Sequence, residues 1–164
     1  MTLVVADSGP ISYLTLIDAL HVLPSLFDRV ILPQAVHEEL LDPDAPPAVI
    51  AFARALPPWA EVRSAQRVEL EGILDSGEAE AIALATELDA LVLLDERDGR
   101  RAAVRLGLRV AGTVGILEKA ASQDLIVLEE AFRKLRGTNF RIDADYLRQA
   151  LARDAARRRP PLSP

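Results

Sequence analysis

The sequence contains no cysteine, which excludes disulfides, thiolate nucleophiles and cysteine-held zinc. That absence suits a reducing compartment, and a cytoplasmic location is expected. Histidine is nearly absent too, and His21 and His37 form no ligand pair. Of 19 basic residues only Lys119 and Lys134 are lysines. Aromatic residues make up 4% of the chain, with Trp59 the single tryptophan. No apolar stretch approaches the roughly 18 residues of a membrane span. The start of the chain lacks the basic n-region and long apolar core of a signal peptide. No membrane partner is therefore expected.

What is present is half hydrophobic, with a mean hydropathy of +0.15 over 164 residues. A chain of this size and composition is globular and long enough to bury one core. The formal net charge of −6 argues against a general nucleic-acid binder. Its distribution says more than its sum. Arg97, Arg100, Arg101, Arg105 and Arg109 fall in one stretch, and Arg153, Arg157, Arg158 and Arg159 in another. Arginine's planar fork bonds phosphate in a bidentate way, although a GC-rich genome would also favour arginine.

The chain is organised around Leu3-Val4-Val5-Ala6-Asp7-Ser8-Gly9-Pro10. A short apolar, β-branched run suits a strand buried on both faces. Gly9 and Pro10 then turn the chain into a helix over 11–20. A second strand is expected at 28–32, and Pro33 opens the next helix in a favoured first-turn position. The 42–47 stretch reads as loop, 48–56 as a short helix and 61–63 as a small strand. Ser76 or Asp75 caps an alanine-rich helix, a strong helix former. Residues 91–95 repeat the opening pattern, an apolar run ending in Asp. An arginine-rich helix to Leu106, a last strand at 108–111 and a helix from the 112–115 turn follow. Two more helices are expected at 125–135 and 145–157. Strand–helix alternation predicts α/β architecture with a central parallel sheet. One domain is expected over 1–156, with C-terminal helices from about 125 and a disordered tail over 157–164.

Acids recur where strands end: Asp7, Glu39, Glu78 with Glu80, and Asp95 with Asp98. Each has an ordinary structural explanation. Asp7 or Ser8 can cap a helix, Glu39 can be a solvated helix residue, and Glu78 can favour a helix dipole. Asp95 and Asp98 can pair with Arg97 and Arg101. Jointly they form an oxygen-ligand set that suits Mg²⁺ or Mn²⁺. Left unpaired they would repel and raise one another's pKa, a penalty a divalent cation removes. Such ions activate water and stabilise a leaving oxygen in phosphodiester hydrolysis. The arginines after Asp95 can hold the charged strand beside the acids.

Four motifs, Asp7-Ser8-Gly9-Pro10, 33–40, 77–85 and 93–98, together resemble the ordered motifs of PIN domains. The nearer resemblance is to a small prokaryotic PIN-like branch related to VapC-type toxins. It spans roughly residues 3 to 120, and the tail helices resemble that branch too. The resemblance implies a three-layer α/β/α fold and a metal-dependent ribonuclease acting on RNA. By position it implies Asp7 as first acid, Glu39 as second, Glu78 as third with Glu80 in reserve, and Asp95 as fourth. These four would be the catalytic and metal-binding acids, with Asp98 a further ligand. Ser8, Arg97, Arg100 and Arg101 would contact substrate. The third acid is Glu where Asp is commoner, and Leu93 and Leu94 stand where Thr or Ser often precedes the last acids. A small antitoxin partner and a homodimer are further implications.

The main alternative is a PIN-fold binding module for nucleic acid or protein, with weak or no catalysis. A haloacid-dehalogenase-like site needs a second Asp where Gly9 stands. A receiver domain needs a lysine ending a late strand, and 108–111 has none. His37 is expected to be a solvated helix residue, and Trp59 and Tyr13 to pack over the core edge.

Overall fold

The computed structural model describes residues 1–160. Five strands, β1 (Leu3–Ala6), β2 (Arg29–Pro33), β3 (Ala60–Arg63), β4 (Leu91–Leu93) and β5 (Val110–Ala111), form one parallel sheet in the order β3-β2-β1-β4-β5. Central strands of a parallel sheet are covered on both faces and need no polar alternation. Accordingly Val4, Val5, Ala6, Val30, Ile31, Leu32, Val92 and Leu93 are all fully buried. Val5 pairs with Ile31 on one side and with Val92 on the other.

The sheet is accompanied by α1 (Ser8–Leu16), α2 (Val22–Leu26), α3 (Gln34–Leu40), α4 (Pro47–Arg54), α5 (Ser76–Leu88) and α6 (Arg97–Arg105). On one face, Ile82, Leu84 and Ala85 of α5 and Ala103 of α6 pack with Val5, Ile31, Val92 and Leu94. Then come α7 (Thr113–Ser122), α8 (Leu128–Arg136) and α9 (Ala144–Arg158). The chain divides into two compact units, Met1–Thr113 and Val114 onward. The first holds the whole sheet and has the expected α/β architecture. In the second, Phe132 and Leu135 are buried on α8 and Leu147 and Ala150 on α9. There Arg153 donates twice to the Glu118 carboxylate, at 2.7 and 3.0 Å.

The strand order positions the site. From central β1 the chain adds β2 and β3 on one side, then returns to add β4 and β5 on the other. The direction of winding therefore reverses between β1 and β4. In open parallel sheets, ligands bind in the crevice at the carboxyl ends of the strands at such a switch point.

Several element boundaries differ from the sequence expectation. Helix α1 starts at Ser8 instead of residue 11. Gly9 and Pro10 fit within its first turn, where Pro needs no N–H partner. It ends at Leu16 instead of Leu20: Asp18 adopts φ +57 and the Ala19 amide closes the end onto the Leu14 carbonyl at 2.8 Å. Helix α2 was not expected. Strands β4 and β5 are shorter than 91–95 and 108–111. Helix α8 begins at Leu128, not at 125. Helix α9 continues through Arg158, so Arg157 and Arg158 are helical and do not open a disordered tail. Residues 161–164 of that expected tail lie outside the described residues. Among the described residues no helix is long and apolar enough to cross a membrane.

Candidate functional site

At the end of β1 the Asp7 amide still reaches the Leu93 carbonyl, at 3.1 Å. Asp7 thus stays in line with the sheet, at the switch point, and occupies the N-cap position of α1. A capping Asp accepts a bond from the second or third amide of the helix. This side chain makes no such capping bond. It is 6% exposed, and among the described residues its buried Oδ1 has no hydrogen-bond partner. Burial raises its pKa from 3.8 to about 8; the Ser8 amide pulls it down, and the charges of Asp75, Glu39 and Glu78 push it further up. A buried carboxylate oxygen left unpaired carries its full desolvation cost, so a folded protein that retains one needs a reason.

Three other acids gather round it. Glu39 is exposed near the end of α3. A Cβ placed on Gly77 would meet Asp7 Oδ1 at 3.2 Å and Glu39 Oε2 at 3.3 Å, so both oxygens abut the start of α5. Glu78, the next residue, is 5% exposed, and its Oε1 also lacks a partner among the described residues. Its pKa is raised by burial first, then by the charge of Asp75 and a proton shared with it, then by Glu96 and Asp98. Asp75 caps α5 by accepting the Glu78 amide at 2.9 Å. Helix α6 seats directly on Glu78: a Cβ on Gly99 would lie 2.7 Å from Glu78 Oε1.

Asp95 follows β4 and faces the first turn of α1, where a Cβ on Gly9 would lie 3.7 Å from its Oδ2. Both its oxygens are engaged. Oδ1 accepts the Thr113 amide at 2.7 Å and Oδ2 the Thr113 hydroxyl at 2.6 Å. Burial raises its pKa, while the two Thr113 bonds and nearby Arg100 lower it.

The remaining sequence candidates separate clearly. Glu80 does not share the Asp7 environment: its Oε2 accepts the Ala35 amide at 2.8 Å and its Oε1 the Ala65 amide at 3.1 Å. It ties α5 to the start of α3 and to the segment after β3. Asp98 is exposed in the first turn of α6, close enough for Glu78 to feel its charge. Ser8 lines a cleft of about 350 Å³ with Ser12, Glu39, Asp42 and Asp44. Arg97 and Arg101 are exposed. Arg100 is not a free substrate contact, because its Nη1 donates to the Leu94 carbonyl at 2.8 Å. Nor is His37 a solvated residue: its Nε2 lies 2.9 Å from the Ala53 carbonyl and joins α3 to α4. Trp59 stacks on Phe52, ring centres 6.0 Å apart. An apolar hollow of about 240 Å³ between α5 and Leu106 contains none of the four acids.

Sequence reasoning gave Asp75 only a capping role and did not single out Glu96 or Thr113. For Thr113 a signal existed. It is a hydroxyl residue just past the last strand, at the edge where the acids gather.

The donor set is all oxygen, and two buried oxygens lack partners, which is the chemistry a hard divalent cation satisfies. Among the described residues no three acids stand close enough to enclose an ion as the side chains lie. On donor type the residues fit such an ion; a closed coordination shell needs side-chain adjustment.

The family model DUF3368, described as a PIN domain, matches residues 3–155. No curated protein matches the chain. Among solved structures the chain is similar to a PilT N-terminus domain protein, SSO1118, from the hyperthermophilic archaeon Sulfolobus solfataricus P2. The two share 14% identity over 87% of this chain and 100% of that one, with a TM-score of 0.47. With its parallel α/β sheet and a family match over nearly its whole length, the chain belongs to the PIN-domain family.

Proposed function

We propose that this protein is a divalent-metal-dependent ribonuclease that hydrolyses phosphodiester bonds of RNA at the carboxyl edge of β1 and β4. PIN domains are usually nucleases, and that generality sets the reaction class. The observation that carries the reading is the buried, partnerless Oδ1 of Asp7, a carboxyl that feels the charges of Asp75, Glu39 and Glu78. Asp7 and Glu78 would hold a cation with buried oxygens, Glu39 from the solvent side, and Asp95 with the lone pairs Thr113 leaves free; Asp98 stands beside them. Bound Mg²⁺ or Mn²⁺ would activate a water and neutralise charge on the cleaved phosphate. Asp7 is kept dry, which strengthens its attraction for a cation. Thr113 fixes the Asp95 rotamer. Arg97 and Arg101 offset the repulsion between acids and RNA.

One observation favours a second reading, a binding module with little catalysis. Asp95 already has a partner on each oxygen, and no three acids enclose a cation among the described residues. One experiment separates the two. RNA cleavage is measured with Mg²⁺ and with Mn²⁺ for the wild type, Asp7→Asn and Asp95→Asn. The nuclease reading expects cleavage by the wild type and a loss of at least about 10–100-fold in each variant. Mn²⁺ binding without cleavage of any RNA supports the binding module. No cleavage, with Asp7→Asn behaving as wild type towards Mn²⁺, removes the nuclease reading. A small antitoxin and a homodimer belong to the same proposal, testable by co-purification with a co-expressed neighbouring gene product and by light scattering.

A further inference from the structure

Helix α6 carries four arginines, and the structure separates them into one inward and three outward. Arg100 is turned in to the Leu94 carbonyl. Arg97, Arg101 and Arg105 are exposed, and none has an ion pair or hydrogen-bonded side-chain partner among the described residues. Spaced four residues apart, they fall on one side of the helix, each about 6 Å further along its axis. The other side is buried through Gly99, which meets Glu78, and Ala103 in the core. The row therefore starts at the acidic centre, with Arg97 two residues beyond Asp95, and leads away from it. Past the end of α6, exposed Arg109 stands at the amino edge of the sheet, its carbonyl accepting the Val92 amide at 3.0 Å.

We infer that this row is a track for the backbone of a single RNA strand, running from the acidic centre down the outer side of α6. The inference rests on the nuclease reading only for where the strand leads. Guanidinium forks bind phosphate oxygens in pairs. A single file of them at about 6 Å intervals matches successive phosphates of one extended strand. A duplex presents two backbones, and α6 offers one row. No aromatic residue lies on α6 to read or stack bases, so the contact positions the strand without selecting its sequence. The net charge of −6 makes much of the surface unattractive to RNA.

The test is binding measured in EDTA, where metal-dependent cleavage is silent. A fluorescent single-stranded RNA of about 10 nucleotides, within the usual range of single-strand sites, is titrated against three proteins. They are the wild type, the triple variant Arg97→Gln/Arg101→Gln/Arg105→Gln, and a control of equal charge change, Arg67→Gln/Arg133→Gln/Arg136→Gln. All six positions are exposed, and circular dichroism verifies folding. The track expects Kd to rise at least about 10-fold in the ridge variant and the slope of log K against log salt to fall by about 2. The control should change Kd less than about 2-fold, a fourth protein, Arg97→Lys/Arg101→Lys/Arg105→Lys, should keep the wild-type salt slope, and duplex RNA of the same length should bind more weakly. Wild-type binding by the ridge variant overturns the inference. So does an equal loss in the control, or a duplex that binds as tightly with the same dependence on the ridge. Binding on the ridge without cleavage in Mn²⁺ would remove the nuclease reading and leave the track standing. Cleavage at undiminished kcat/KM by the ridge variant would do the reverse.

Discussion

Replacing Asp7 with Asn should make the metal-free protein more stable at neutral pH. Asn has nearly the same shape and no charge to desolvate. The unfolded Asp7 titrates near 3.8 and the folded one near 8. Between those values the native state holds a proton that the unfolded chain has lost. Stability is then fully present below about 3.8 and falls as pH rises towards 8. Ionising or retaining the proton at pH 7 costs about 1.4 kcal/mol for each of roughly three pKa units, or about 4 kcal/mol as an upper figure. For a chain of this size that corresponds to a rise in Tm of about 10 °C.

The assay is thermal unfolding of wild type and Asp7→Asn in EDTA at pH 4.5 and pH 7.5. The two proteins should nearly coincide at the lower pH and diverge at the higher. Adding Mn²⁺ at pH 7.5 should then raise the wild-type Tm by mass action and leave Asp7→Asn almost unmoved. An Asn variant no more stable than wild type at pH 7.5, or equally stabilised at both pH values, would refute the reasoning. Either result would mean that Asp7 is not held as an uncompensated buried acid.

Glu80→Gln should lower the urea midpoint, at a cost of about 1–3 kcal/mol, because one amide hydrogen then faces a backbone donor; Mn²⁺ stabilisation should persist, measured by the same melts. Thr113→Val should cost a similar 1–3 kcal/mol or so by leaving Asp95 Oδ2 unpaired, and Thr113→Ser should recover most of it in chemical unfolding. Gly99→Ala should displace the end of the Glu78 side chain, the atom the new methyl would strike. The expected result is a lowered Mn²⁺ affinity in titration calorimetry, about 10-fold, with a small change in Tm.

The parallel sheet was legible because its central strands are short apolar runs without alternation, and such runs bury both faces. The acids were legible because they follow those runs. Strand ends and helix starts were less so. Gly9-Pro10 looks like a breaker in sequence, yet both residues fit inside the first turn of α1. Helix α2, five residues with Pro24 among them, carries too little periodicity to be seen. The roles of individual acids were not legible at all. Glu78 and Glu80 lie two apart with the same side chain. What distinguishes them is whether backbone amides from α3 and residue 65 arrive to bond the carboxylate, and sequence spacing does not reveal that. Arg100 and Arg101 are likewise adjacent and alike, and only the Leu94 carbonyl separates their roles.

Those differences order the acids by what each does for the fold. Glu80 has both oxygens bonded to backbone amides and stabilises the folded state without help. Asp95 has both oxygens on one residue, Thr113, which fixes its direction and leaves lone pairs available. Asp7 and Glu78 are as buried as Glu80, yet each keeps an oxygen with no partner among the described residues. Burial without a partner destabilises, so packing alone gives no reason to retain these two. Their position does: Asp7 ends β1 where winding reverses between β1 and β4, the place where a parallel sheet opens a crevice, and Glu78 stands close enough for Asp7 to feel its charge. An acid with a protein partner on each oxygen is already satisfied by the scaffold, and a buried acid with an oxygen left partnerless at the switch point is the one a ligand can satisfy. On that criterion Asp7 and Glu78 rank ahead of Asp95 and Glu39, and the ranking predicts the order in which single Asn or Gln substitutions weaken Mn²⁺ binding.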